Sequence, residues 1–203
     1  MRIKICGITN YEDAELCCDL GADALGFIFY ENSKRKVSFE EAKKIINKLP
    51  SFISKIGVYV NEESDAINRI AGEIKLTGVQ LHGDENPEFA DLINLPVIKS
   101  FRVNGEFEFS TLKKYKNCKL LLDAYSPEVY GGTGQAFNWE IIPAGIRNEI
   151  ILAGGISADN IGYIFNNIRP EAVDVSSSLE KYPGKKDAVK LKEFFQRINS
   201  LRR

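Results

Sequence analysis

Three short apolar runs in this chain each end on a side chain able to move a proton. Cys6 closes Ile3–Lys4–Ile5 ahead of Gly7, and His82 closes Val79–Gln80–Leu81 ahead of Gly83. Asp123 closes Leu120–Leu121–Leu122, with Gly131–Gly132–Thr133–Gly134 just beyond. A thiol, an imidazole and a carboxyl are all groups used for general acid–base catalysis. Each also has a plainer role. A lone cysteine is by default a small buried hydrophobe, but Cys6 shares a strand face with Lys4, whose charge favours the thiolate. Asp123 fits a turn cap as well as a general acid held partly protonated by its leucines. His82 is either a structural histidine or a pocket group that orients a ligand.

Two later segments have the composition of an anion cradle. Ala153–Gly154–Gly155 and Ser176–Ser177–Ser178 each follow a strand-like run, the second leading into an expected short helix at Leu179–Glu180. Backbone N–H groups in such loops bind phosphate. Arg35, in Ser33–Lys34–Arg35, carries a planar fork that matches a carboxylate. The Gly131–Gly134 stretch suits a segment able to close over a ligand. Neither a Walker A loop nor Gly-x-Gly-x-x-Gly occurs.

These groups can meet only if the fold gathers strand ends. Strand-like runs lie at 2–6, 22–29, 54–60, 78–82, 96–102, 119–124, 149–153 and 172–176. Helical stripes alternate with them: Phe39, Ala42, Ile45, Ile46 and Leu49; Ala66, Ile67, Ile70, Ala71 and Ile74; Ile161, Ile164, Phe165 and Ile168; and Val189, Leu191, Phe194, Phe195, Ile198 and Leu201. Weaker helices are expected near 108–115 and 138–142. Thr9 with Glu12 and Ser38 with Glu41 have capping-box spacing, and Asn86–Pro87 and Ser157 mark further helix starts. Eight βα units, at about 25 residues each, predict a (β/α)₈ TIM barrel, compact for its class. A doubly wound open sheet is the competing topology. Residues 1–203 read as a single domain.

Strand parity sharpens this expectation. Lys4 and Cys6, Gln80 and His82, and Asp174 and Ser176 fall on one face of their strands, opposite apolar partners. The polar sets are predicted to point into the barrel and the apolar sets to pack under helices. Because first and last strands are neighbours in a closed barrel, Lys4 and Asp174 are predicted to pair.

Composition limits the remaining options. A net charge of −1 provides no field for nucleic acid or an anionic membrane. The apolar runs are strand-sized and interrupted by charge, so no membrane helix is expected. With no signal-like segment at the start, the chain reads as cytoplasmic. Its four cysteines form no disulfide framework, and a single histidine rules out a multi-histidine zinc site.

In their shared order, these segments resemble the phosphoribosylanthranilate isomerases of tryptophan biosynthesis. The resemblance runs through Lys4–Thr9, Gly26–Phe29, Ser33–Arg35, Val79–Gly83, Leu121–Asp123, Gly131–Gly134, Ala153–Gly155 and Val173–Ser177, followed by Glu180 and Gly184–Asp187. It implies an Amadori rearrangement of a phosphosugar–anthranilate substrate, with Cys6 as general base and Asp123 as general acid. Arg35 is then similar to the residue that binds the anthranilate carboxylate. Gly154, Gly155, Ser176, Ser177 and Ser178 match the phosphate site, and His82 matches a pocket histidine. The implied reaction is redox-neutral, so no cofactor and no metal is called for; the protein is expected as a monomer or homodimer. Two positions depart from the pattern: Ser178 stands where glycine is usual, and Asn138 where the family has aspartate. Rival readings are a related aminoaldose isomerase of the histidine pathway, a bifunctional enzyme, and a non-catalytic phosphosugar-binding barrel.

Overall fold

In the computed structural model, which describes residues 1–124 and 138–202, eight parallel strands close into a barrel. They are β1 (Arg2–Cys6), β2 (Ala24–Ile28), β3 (Ser54–Tyr59), β4 (Gly78–Leu81), β5 (Val97–Val103), β6 (Cys118–Ala124), β7 (Ile150–Leu152) and β8 (Ala172–Val175). Closure is made by β1 on β8, with Lys4 level with Asp174. The open-sheet alternative is therefore excluded. The expected loop at Gly131–Gly134 lies outside the described residues.

The helices form where apolar stripes and caps coincide: α1 (Tyr11–Leu20), α2 (Phe39–Ile46), α3 (Ser64–Ile74), α4 (Pro87–Ala90), α5 (Ile161–Tyr163, running on as a π turn through Ile168) and α6 (Ala188–Leu201). Ser38 caps α2 by accepting from the Glu41 N–H, and Asn86 caps α4 ahead of Pro87. The cap of α1 is Asn10 rather than Thr9, because the Asn10 carboxamide reaches the Asp13 N–H while the Thr9 hydroxyl donates to the Gly184 carbonyl. Ser157 accepts from the Asp159 N–H, and its carbonyl takes the Ile161 N–H that opens α5. Among the described residues, the layer after β5 and β6 consists of 3₁₀ turns, Phe109–Lys114, Trp139–Ile141 and Ala144–Glu149. In α6, Leu191, Phe194, Phe195 and Ile198 are buried, whereas Val189 faces solvent.

Two separate apolar groups result. The larger lies between barrel and helices and holds Ile3, Ile5, Val79, Leu81, Leu122, Leu152 and Val173. The smaller, Leu121, Ile151 and Ala153 with Ile98 and Ala172, is set by the opposite strand parity and fills the barrel interior. Polar side chains thus face inward on β1, β4 and β8, as predicted, whereas on β5 and β6 the inward face is apolar at Ile98 and Leu121 and turns polar at Ser100 and Asp123. After β8 the chain forms a 3₁₀ turn at Ser177–Leu179 and then a hairpin of β9 (Glu180–Tyr182) and β10 (Lys185–Lys186). The short helix expected at Leu179–Glu180 is this turn displaced, with Glu180 already extended. No helix among the described residues is long and apolar enough to cross a membrane.

Candidate active site

At the carboxyl ends of the strands lies a pocket open to solvent. Cys6, Arg35, His82, Asp123, Gly154, Gly155, Ser176, Ser177 and Ser178 all line it, although they come from six different βα segments. All but Arg35 reach the rim for the same local reason, that each ends a strand or lies in the first residues of the following loop; Arg35 comes from further along the loop after β2.

Cys6 sits at the end of β1 and is buried. Lys4, two residues back on the same face, donates to Asp174 Oδ2 at 2.8 Å and sits beside the Cys6 sulfur. Room for this cluster exists because position 26 is glycine. A Cβ there would stand 2.6 Å from Cys6 Sγ and 3.0 Å from Lys4 Nζ. Burial works against the Lys4 charge, but Asp174 and Cys6 outweigh it and hold the ammonium above its ordinary value. The thiol moves the other way from the sequence expectation. Burial raises Cys6 above the ordinary cysteine value, Lys4 opposes this, and the Asp174 charge adds to it. Lys4 therefore does not leave Cys6 ionised in the resting protein, because burial of the thiol, with the Asp174 charge beside Lys4, outweighs it.

On the far strands, Asp123 Oδ1 accepts from the N–H of Ala124 at 2.8 Å. The turn-capping and pocket roles weighed for this residue thus coexist. Asp123 packs against Gly154, whose φ of +84° is one that L side chains rarely adopt. Any Cβ there would meet Asp123 Oδ1 at 2.9 Å and the Ala124 nitrogen at 2.7 Å. His82 faces the same carboxyl, with Nε2 3.5 Å from Asp123 Oδ2, longer than a good hydrogen bond. The Gln80 amide donates to His82 Nδ1 at 2.8 Å, which places the imidazole proton on Nε2, toward Asp123. Below His82, a buried Lys99–Glu85 pair at 2.7 Å holds the loops after β3 and β4, Glu85 accepting from the Asn61 and Gly83 N–H groups.

The two cradle loops meet beside Cys6. Ser178 donates its hydroxyl to the Ile156 carbonyl, and Ser176 donates to the Cys6 carbonyl at 3.0 Å. The first N–H groups of the 3₁₀ turn, those of Ser177 and Ser178, have no partner within that turn, the geometry an anion uses. Ser178 is not among the residues with positive φ, so serine at this position carries no backbone strain. The other departure keeps its local function, Asn138 accepting from the Glu140 N–H. Arg35 is not a solvated loop arginine: its Nε donates to both Glu180 oxygens at 2.9 Å. Sequence reasoning assigned no role to Gly26, Gln80 or Glu180. Parity alone places Gln80 on the His82 face, but nothing local announces a partner 145 positions from Arg35.

Proton transfer on a small anionic substrate is the chemistry such a rim supports, and the protein belongs to the class of (β/α)₈-barrel isomerases. Comparison with known proteins narrows the class. The sequence model described as N-(5′phosphoribosyl)anthranilate (PRA) isomerase matches residues 3–197. N-(5′-phosphoribosyl)anthranilate isomerase of Pelobacter propionicus is 50% identical over 197 residues, covering 97% of this chain and 94% of that protein. The crystal structure of phosphoribosyl anthranilate isomerase from Thermotoga maritima superposes with a TM-score of 0.91 at 40% identity, covering 98% of this chain and 99% of that one. A second, in complex with reduced 1-(o-carboxyphenylamino)-1-deoxyribulose 5-phosphate, gives 0.87 at 38% identity over 98% and 99% of the two chains. This chain belongs to the phosphoribosylanthranilate isomerase family.

Proposed function

We propose that the chain rearranges N-(5′-phosphoribosyl)anthranilate to 1-(2-carboxyphenylamino)-1-deoxyribulose 5-phosphate, the isomerisation of tryptophan biosynthesis, with Cys6 as base and Asp123 as acid. The observation that carries the residue roles is that both line one pocket, with Arg35 and the two cradle loops in the same wall. Gly154, Gly155 and Ser176–Ser178 take the phosphate, and Arg35 takes the anthranilate carboxylate. His82 holds a place in the pocket beside Asp123.

In this mechanism Asp123 protonates the furanose ring oxygen while the anthranilate nitrogen supplies electrons to C1, and the ring opens to a Schiff base. Cys6, as the thiolate, removes the C2 proton. The electrons released neutralise the iminium and leave an enolamine. Protonation at C1 and loss of the C2 hydroxyl proton then give the ketone. Lys4, beside the sulfur, lies where the thiolate charge develops. The thiol gives up its own proton to solvent before it takes the one on C2. Four free cysteines among the described residues support cytoplasmic residence. Sedimentation of the purified protein separates monomer from homodimer.

The decisive assay follows loss of anthranilate-type fluorescence as phosphoribosylanthranilate is consumed by the purified protein. Turnover that vanishes in both Cys6→Ala and Asp123→Asn is the expected result. Absence of turnover by the unaltered protein would overturn the activity, and near-normal rates in a variant would remove that residue from it.

A further inference from the structure

Behind the pocket wall lies a buried charge cluster that the acid–base chemistry leaves unused. The β9–β10 hairpin contributes Glu180 and Lys186, both buried and neither lining the pocket. Glu180 takes Arg35 Nε on both of its oxygens and Nη2 at 2.8 Å. Its Oε1 accepts in addition from Lys186 Nζ at 3.0 Å and from the Gly184 N–H at 3.3 Å. Lys186 Nζ also donates to the Cys6 carbonyl at 2.6 Å. From outside, Asp13 of α1 pins the hairpin by accepting the Lys186 backbone N–H at 2.7 Å.

A buried ion pair is a poor stabiliser compared with well-packed apolar residues. What it supplies here is direction. A guanidinium is a planar fork, and fixing Nε and Nη2 on one carboxylate fixes its plane and leaves Nη1 for a ligand. We propose that Glu180 is a positioning residue that aims Arg35 at the carboxylate of the substrate, with Lys186 as its buried counter-ion and as the tie between this device and the Cys6 backbone. The inference rests on Arg35 being the carboxylate ligand.

The test compares the unaltered protein with Arg35→Ala, Glu180→Gln and the double variant Glu180→Gln/Lys186→Met. The double variant removes both charges together, so no lone buried charge confounds folding. Readouts are KM, kcat and inhibition by two probes: the reduced product and its counterpart lacking the ring carboxylate. Glu180→Gln and the double variant are expected to raise KM about tenfold with a far smaller change in kcat, the pattern of lost uniform binding. The carboxylate-bearing probe weakens in step while the other changes little, and combining Arg35→Ala with Glu180→Gln adds almost nothing to Arg35→Ala alone. Equal weakening of both probes would reduce Glu180 to a structural part. A lowered KM would show that it masks Arg35 instead. Should Arg35→Ala itself leave KM unchanged, the carboxylate assignment falls and the proposal falls with it. An effect of Arg35→Ala with none in either Glu180 variant overturns the positioning role alone.

Discussion

Lys4 and Asp174, 170 residues apart in sequence, pair at 2.8 Å across the seam where the last strand meets the first. The same ammonium lies beside the Cys6 sulfur. Closure of the barrel therefore also assembles the charge cluster around the proposed base. Burial of the thiol, with the Asp174 charge beside Lys4, keeps Cys6 protonated at rest, and this sets what can be measured.

Alkylation of Cys6 by iodoacetamide, followed by mass spectrometry, reports that state directly. Burial lifts the thiol above the ordinary 9.0, so labelling is expected to be slow at neutral pH and to climb as pH passes that value. Lys4→Met removes the one opposing charge on β1 and leaves Asp174, so it slows labelling further. Cys17, which burial pushes up to about 12, is the internal control. Rapid, pH-independent labelling at neutral pH would contradict a protonated resting thiol.

Cys6→Ala and Asp123→Asn should each lower kcat by ~10²–10⁴-fold, the usual cost of a missing acid or base. Circular dichroism should show both folded, since Asp123→Asn is nearly isosteric, Cys6→Ala removes a single sulfur atom, and both are confined to the rim. A loss below about tenfold in either would assign proton transfer elsewhere.

Gly154→Ala tests how Asp123 is held. Its added methyl must occupy a positive-φ site against Asp123 and Ala124, at a cost of ~1–3 kcal/mol. Thermal unfolding should shift down, and kcat should fall more than KM changes because the displaced neighbour, Asp123, is the proposed acid. An alanine variant with unaltered melting and turnover would show that the backbone adapts freely there.

Glu180 governs the acid limb of stability. Burial raises its carboxyl, but the Arg35 hydrogen bond and the Lys186 charge together hold it below the ordinary 4.5. A carboxyl lowered in the folded state stabilises above its unfolded value and loses that contribution as pH falls through the folded one. The unaltered protein should lose stability progressively below about pH 4.5, with a shallower slope in Glu180→Gln. Identical slopes in denaturant titrations at several pH values would exclude this linkage.

Much of this was legible in the order of residues. Alternation at Lys4–Cys6 and Asp174–Ser176 carried the inward face and the seam pair, because strand parity depends on nothing but position. The helix stripes were visible for the same reason, with α1 misplaced by one residue since Thr9 and Asn10 are both competent caps. Long-range electrostatics were not legible. The sign of the Cys6 shift depends on how deeply the thiol is buried and on Asp174 sharing its cation. Glu180 reaches Arg35 only through a hairpin that no local pattern separates from a short helix.

The β9–β10 hairpin and β8 supply partners to a cysteine in β1, which the ribosome makes before them. Until residues 172–186 are in place, that thiol has neither Asp174 nor Lys186 around it. A growing chain therefore carries the Cys6 thiol without the charges that surround it in the closed barrel, and the cluster is assembled only once residues 172–186 have been made.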